Sequence, residues 1–404
     1  MRRVVQCCEN LGVQFKTLPG MGEILEGKVG VSDLREVRFE DLLGRDPVSL
    51  DTSKISAYIQ DKTVLISGAG GSIGSELCRQ LIRFHPARLI LFDASELNLY
   101  TLQNELEYEF GFSSLVPVLG RIQDQWLTSA VCDRYRPQVI FHAAAYKHVP
   151  MLEHNPWEAV QNNVYGSLVL MRAARNAGVS RFVVVSTDKA VRPTNVMGTS
   201  KRITELLMHE FSSQEGPTKF MAVRFGNVVG SSGSVVPLFQ RQIARGGPVR
   251  VTHAEVLRYF MTISEASQLI IQAGALGQGG EIFVLDMGTP IKIADMARDL
   301  IRLMGKEPDK DIEIVYTGLR PGEKIFEELI TDEEGIERTE HSKIMVLRRT
   351  GHLVGSSQGK DLMAEIEELT QAALAQDHTR IRARLKDLVP EYQPTGPFLK
   401  PDPE

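Results

Sequence analysis

The chain has 404 residues, 43% of them hydrophobic and 24% charged, which suits a globular protein with one large domain and smaller lobes. Its 46 basic and 51 acidic residues give a net charge of -5 without a basic stripe, which argues against a nucleic-acid partner and leaves anionic ligands to local arginines. Four cysteines (Cys7, Cys8, Cys78, Cys132) match neither zinc nor disulfide spacing, and no apolar run reaches the ~18 residues needed to span a bilayer.

The opening MRRVVQCCENLG lacks a signal-peptide core. A reducing, cytoplasmic location is expected, either as a free protein or as the soluble part of a membrane-anchored one. The adjacent Cys7 and Cys8 read as small buried residues rather than a redox pair. Residues 1–60 have weak apolar periodicity and read as the remnant of a preceding domain; Leu42 and Leu43, followed by Gly44 and Pro47, mark a helix end and a turn.

From Thr63 strands and helices alternate. The strands are TVLIS, RLILFD, LVPVLG, VIFHAAA, RFVVVSTDK and KFMAVRFGN. Between them lie a helix through SIGSELCRQLIRF, one capped by Ser95, one holding Trp126 and Tyr135, one over 156–177, and one opened near Asn195 and running through 199–211. This alternation predicts an α/β fold: a Rossmann-type parallel sheet with helices on both faces, over 61–230 with 253–285 returning to it. Residues 231–252 and 286–350 are expected to form a smaller C-terminal substrate-binding lobe over the strand ends. Residues 351–404 read as a helical tail that ends rich in proline.

Gly68, Gly71 and Gly74 stand as GAGGSIG between the first strand and its helix. The first glycine permits the tight turn, the second a close approach of backbone to pyrophosphate, and the third close packing of helix on strand. Ser72 and Ile73 open the helix, whose N-terminal amides face the phosphates. Asp93 ends the next strand, 19 residues beyond Gly74, where its carboxylate accepts from ribose hydroxyls and repels a 2′-phosphate. With no arginine at Ala94 or Ser95, NAD is preferred over NADP. Ile122, just past the third strand, reads equally as an adenine contact or a core isoleucine; with Ala143 and Ala144, after the fourth strand, it completes the expected cofactor site.

The segment STDKAVRPTNVMGTSKR carries the chemistry. Ser186, Thr187, Asp188 and Lys189 sit where the fifth strand ends, while Met197 and Lys201, four apart, share one face of the next helix. A strand-end hydroxyl followed by a helical lysine resembles the extended short-chain dehydrogenase/reductases, where the helix normally carries Tyr-x-x-x-Lys; Met197 occupies the tyrosine position. GAGGSIGSELCRQ, HAAAYKHVPMLEHNPWEAV, NNVYGS, RFGNVVGSSGSVVPLF, RYFMTISEA and GLRPGEK extend the resemblance over about residues 30–350. Over that span the chain resembles the UDP-N-acetylglucosamine 4,6-dehydratases of the polysaccharide-biosynthesis family. The methionine is similar to the long subgroup, whose members carry an N-terminal membrane region and a further soluble domain; this chain is expected to start inside the linking domain.

The resemblance implies removal of hydride from sugar C4, loss of the C5 proton and the C6 hydroxyl, and return of hydride to C6, with retention at C5. It implies Asp188 as the acid for the departing hydroxyl and Lys189 as the base at C5. Lys201 is implied on the nicotinamide ribose, and Asn163 at the active-site helix and strand, within the substrate set. A thioether accepts no proton, so the C4 hydroxyl needs another route, for which Thr187 relaying to Asp188 or water is the candidate. Asn227 opens a Gly/Ser-rich loop whose amides suit a diphosphate. Arg258 and Arg320 are implied as phosphate ligands and Glu323 as a uridine-ribose contact. Lys147 is within reach of sugar or cofactor. His142 and His148 lack metal spacing; both read as structural, and no metal is expected. The partners expected are a UDP-sugar and further copies of the chain, a homo-oligomer formed through the two long Rossmann helices. Two alternatives remain: a 4-epimerase, and a non-catalytic nucleotide-sugar binding protein.

Overall fold

The computed structural model describes residues 16–17, 35–331, 334–348 and 361–395; Cys7, Cys8 and the proline-rich end lie outside them. The described residues cluster into two compact units.

The larger unit holds Leu50–Gly226, Ala266–Asp286 and the chain from Arg320 on. All six strands read from the sequence form here: β1 (Thr63–Ser67), β2 (Arg88–Asp93), β3 (Leu115–Leu119), β4 (Val139–His142), β5 (Arg181–Val185) and β6 (Lys219–Arg224). Central strands covered on both faces must be apolar throughout, which is why Val64, Leu65, Ile66, Phe182, Val183 and Val184 are all fully buried. Three further strands, β7 (Ile282–Leu285), β8 (Ile336–Arg338) and β9 (Ile344–Leu347), complete a nine-stranded sheet of order β8-β9-β7-β6-β5-β4-β1-β2-β3. Pairing is parallel from β3 through β7 and antiparallel at β9 and β8. The order 3-2-1-4-5-6 is that of a dinucleotide-binding sheet, with its switch point between β1 and β4.

The helices that matter for the site are α1 (Ser72–Leu81), α2 (Glu96–Asn104), α3 (Gln125–Tyr135), α4 (Val149–His154), α5 (Gly166–Asn176) and α6 (Val196–Ser213). Pro156–Glu158 and a wide π-helical stretch, Ala159–Tyr165, run directly into α5. Asn195 starts α6 by accepting from Gly198 N at 2.7 Å, the N-cap contact an asparagine supplies best. Among the described residues no helix is long and apolar enough to cross a membrane.

The domain bounds differ from those read in the sequence. Residues 35–60 are no separate remnant: Phe39 and Leu42 enter the core of the smaller unit, while the helix Thr52–Ile59 buries Ile55, Tyr58 and Ile59 in the larger one. Two or three buried residues per short helix leave no readable periodicity. Residues 253–265 cluster with the smaller unit, and 320–348, expected in the lobe, supply β8 and β9 to the large sheet.

The tail is also more than an appendage. Helices α7 (Leu362–Leu374) and α8 (His378–Leu388) pack on the 156–165 stretch and on α6. Ile366, Leu369, Ile381, Leu385 and Tyr392 share one core with Val160, Val164, Ile203 and Leu207. The 156–165 stretch and α6 thus carry the chain's own C-terminal segment on part of their surface.

The smaller unit closes around Val236, Phe239, Met296 and Leu300. Four two-stranded pairs belong to it among the described residues: Lys16–Thr17 with Arg35–Glu36, Val249–Val251 with Ile314–Tyr316, Leu257–Arg258 with Ile291–Lys292, and Asn227–Val228 with Phe260–Met261.

Candidate active site

At the switch point an open cleft of about 190 Å³ is lined by Gly68, Gly71, Asp93, Ile122, Ala143 and Ala144, all expected there, and by Asn98, Arg121, Tyr146 and Asn162, which the sequence did not single out. Gly68 has φ +70°, and a Cβ on it would stand 2.6 Å from Ala144 N, so only glycine passes the β4 loop. Gly74 is inside the wall rather than on it: its Cβ would fall 2.0 Å from the Gly68 carbonyl. Ser72 and Ile73 open α1, where first-turn amides have no intrahelical acceptor. Asp93 ties the turn, accepting from Gly70 N and Ser95 N at 2.8 Å each. The capping of α2 falls to Ser95, which accepts from Asn98 N.

Ser186 N and Asp188 N donate to Val223 O and Phe225 O, which carries β5–β6 pairing past the end of β5 and fixes the backbone of the STDK corner. Asp188 is fully buried; its Oδ1 accepts from Thr187 Oγ1 at 2.9 Å and from Lys189 Nζ at 3.0 Å. Its Oδ2 is buried with no partner among the described residues. On α6, Met197 is 4% and Lys201 5% exposed. Burial lowers the Lys201 ammonium to about 8, against a weaker opposing pull from Glu205, and no described residue accepts a hydrogen bond from it.

Asn163 sits on the π-helical stretch with no exposed surface. Its Oδ1 accepts from Tyr146 N, and its Nδ2 donates to Tyr146 O and to Ser200 Oγ. A committed amide at zero exposure cannot touch a sugar, so Asn163 leaves the substrate set and instead pins the β4 loop to α6. His142 is structural as expected. Ser167 Oγ donates to Asn163 O, so His142 Nε2 must donate to Ser167 and its Nδ1 accept from Ser67. Burial holds the imidazole down at about 3, in keeping with this neutral tautomer.

Lys147 reaches the surface of the same corner, its pKa lowered by packing around its stem and by the Lys189 charge. Arg320 is exposed and its N donates to Glu323 Oε2, both in the larger unit. Asn227 and Arg258 belong to the smaller unit, where Asn227 N donates to Tyr259 O and Arg258 Nη1 to Leu257 O.

Residues 64–349 match the family described as Polysaccharide biosynthesis protein. The chain belongs to this family. Capsular polysaccharide biosynthesis protein CapD of Staphylococcus aureus is 49% identical over 335 residues, 83% of this chain but 56% of CapD, so the chain spans little more than half that relative's length. A Campylobacter jejuni protein named UDP-N-acetylglucosamine 4,6-dehydratase (inverting) is 31% identical over 278 residues, 68% of this chain and 78% of that protein. A Rickettsia typhi protein named UDP-glucose 4-epimerase is 32% identical over 281 residues, 68% of this chain and 79% of that one. The X-ray structure of Pen from Bacillus thuringiensis superposes with a TM-score of 0.67 at 34% identity, over 72% of this chain and 90% of Pen. The family stretch ends before α7 and α8.

Gly198 is a further position that escaped the sequence reading. A Cβ on Gly198 would lie 2.1 Å from the Lys189 carbonyl, so α6 rests directly on the STDK turn only because the residue is glycine. A glycine one residue after Met197, in the first turn of a helix, was the available signal. Gly198→Ala is expected to cost about 1–3 kcal/mol by overpacking. Urea unfolding checks this, and a variant as stable as its parent would mean that turn and helix do not meet as described.

Proposed function

We propose that this chain catalyses NAD-dependent 4,6-dehydration of UDP-N-acetylglucosamine with retention at C5, as a nucleotide-sugar hydro-lyase of surface-polysaccharide synthesis. The observation that carries it is the hydrogen-bonded Thr187–Asp188–Lys189 corner, with Asp188 Oδ2 buried and unpartnered beside the Lys201 helix.

The residues present fit a dinucleotide. Gly68, Gly71 and the Asp93 carboxylate line one cleft at the switch point, and the Lys201 ammonium, which makes no hydrogen bond to a described residue, is a donor suited to ribose hydroxyls. A bound NAD would supply the acceptance of hydride from sugar C4 and its return to C6 within one turnover.

This chain's own groups move the protons. Thr187 Oγ1, donating to Asp188 Oδ1, offers the C4 hydroxyl the relay that the Met197 thioether cannot. The proton relayed from the C4 hydroxyl to Asp188 is the one Asp188 gives to the departing C6 hydroxyl, which leaves as water, while Lys189 takes the C5 proton and returns one to C5 as hydride reaches C6. On the larger unit, Arg320 and Glu323 are assigned to the nucleotide and Lys147 to the sugar side.

The epimerase name of a relative supports a second reading with the same first step. Epimerisation uses no acid at C6, which the Asp188–Lys189 pair would supply. Protein, NAD and UDP-N-acetylglucosamine mixed in D2O and followed by proton NMR separate the readings. Dehydration gives a C6 methyl signal and deuterium at C5 with configuration kept. Epimerisation inverts C4 without a methyl. A binding protein leaves the ring unchanged, and that result ends the proposal.

A further inference from the structure

The C-terminal segment makes polar contacts with the supports of the proposed catalytic groups at three points. Arg382, on α8, donates from Nη1 to Glu153 Oε2 and from Nη2 to Glu153 O, both at 2.8 Å. The other oxygen of that carboxylate, Oε1, accepts from Val196 N at 2.7 Å, the first amide of the helix that carries Met197 and Lys201. Glu391 Oε1 accepts from Arg202 Nε at 3.1 Å. Arg202 Nη1 reaches Glu205 Oε2, and Glu205 Oε1 accepts from Ser186 Oγ, one residue before Thr187. Beyond Tyr392 the chain lies along the loop between Lys189 and Met197: Gln393 N donates to Pro193 O at 3.0 Å, and Thr395 O accepts from Gly322 N at 2.9 Å. Gly322 O in turn accepts from Thr194 Oγ1 and Asn195 Nδ2.

We propose that residues 378–395 are a positioning clamp, which sets the angle and depth of the Lys201 helix against the Thr187–Asp188–Lys189 turn. The physical case is that each contact meets a junction. Arg382 acts through a carboxylate that stabilises the positive N-terminus of α6, where a negative group is favourable. Glu391 acts through a buried guanidinium on the face of α6 one residue past Lys201. The 393–395 backbone holds the only covalent link between turn and helix. These groups touch no expected ligand, so they act through the residues they hold. The contact residues come from outside the stretch that the family similarity covers, apart from their receiving partners.

The clamp's catalytic consequence rests on the dehydratase reading; its structural consequence does not. Full-length Arg382→Gln is therefore compared with the parent by hydrogen–deuterium exchange resolved by peptide, and by steady-state turnover of UDP-N-acetylglucosamine. Faster exchange is expected in peptides over 187–199, with exchange in β1 and the glycine turn unchanged. A kcat lower by roughly ten- to hundredfold is expected, because a displacement of about 1 Å is costly to a reacting geometry. KM should stay within about threefold, and Arg382→Lys should recover most of kcat. Glu391→Ala, at the second contact, should reproduce the local exchange change and serves if Arg382→Gln does not fold. Unchanged exchange over 187–199, or a rise spread evenly over the whole chain, overturns the clamp. If the parent protein itself leaves the sugar unchanged, the dehydratase reading fails while the exchange result still decides the clamp.

Discussion

Replacing Asp188 by asparagine is expected to lower formation of the C6-methyl product by about 10²–10⁴-fold, the range that a positioned acid contributes. The substitution is nearly isosteric. The amide oxygen of the new side chain keeps the acceptor role toward Thr187 and Lys189, so the corner retains its shape, and affinity for NAD, followed by fluorescence titration, should change little. What is lost is the proton at the second oxygen. In the parent, that oxygen is buried and without a partner among the described residues; leaving a polar atom in this state costs about 1–3 kcal/mol, which a substrate hydroxyl arriving there would relieve. Thr187→Val removes the 2.9 Å donor to Oδ1 while keeping the volume, and is expected to slow the reaction by breaking the C4 relay. Retention of most of the parent rate by Asp188→Asn, with normal NAD affinity, would remove Asp188 as the acid and with it the main distinction from an epimerase.

The parts of this molecule that were legible in the sequence are those where a local rule and the tertiary demand coincide. Strands β1, β2 and β4 to β6 are buried on both faces, so apolar runs mark them directly; β3, at the sheet edge, buries only Val118 and is marked by its apolar run alone. The glycine turn is legible because Gly68 and Gly74 stand where a Cβ would meet backbone, and no other residue type satisfies that. The STDK corner is legible because it joins a strand end to a helix with a lysine at fixed offset. Legibility failed where the partner is remote. Ile336–Arg338 is exposed at all three positions and carries no alternation, yet it pairs at the sheet edge. The helical character of α7 and α8 was readable, but the face they cover was not, since nothing in EIEELTQAAL specifies the 156–165 stretch. Asn163 was noticed as a functional position but given to the substrate; only its four side-chain hydrogen bonds reveal a support role. Arg224 drew no notice at all, because an arginine ending an apolar strand ordinarily reaches solvent.

That arginine is the largest fully buried side chain in the described structure, and its replacement is the second large effect expected. Arg224 pairs bidentately with Glu205, Nε to Oε1 at 3.0 Å and Nη2 to Oε2 at 2.8 Å, and donates further to Glu334 at 2.9 Å and to Leu329 O at 3.1 Å. Burial alone would raise Glu205, but Arg224, Arg202 and the Ser186 hydroxyl together outweigh it and hold the carboxyl at about 2. The sign follows from the ordinary value of 4.5. The unfolded chain takes up the proton first as pH falls, so the stability from this group is complete above pH 4.5 and is lost as pH falls through about 2. Arg224→Met leaves Glu205 buried with its main counter-charge gone, a change that typically costs about 3–5 kcal/mol. The variant should unfold at lower urea, and its acid transition should move to higher pH, because burial now pushes Glu205 up with less to oppose it. Changing Glu205 to leucine in the same chain should recover part of the loss, as a buried carboxylate left with only Arg202 as counter-charge is removed. Urea and acid titrations of the three proteins, read by circular dichroism, check the set. An Arg224→Met protein with an unmoved acid transition would mean that Glu205 is not held by this pair. Ser186 would then need another anchor to fix the strand end that precedes Thr187 and Asp188.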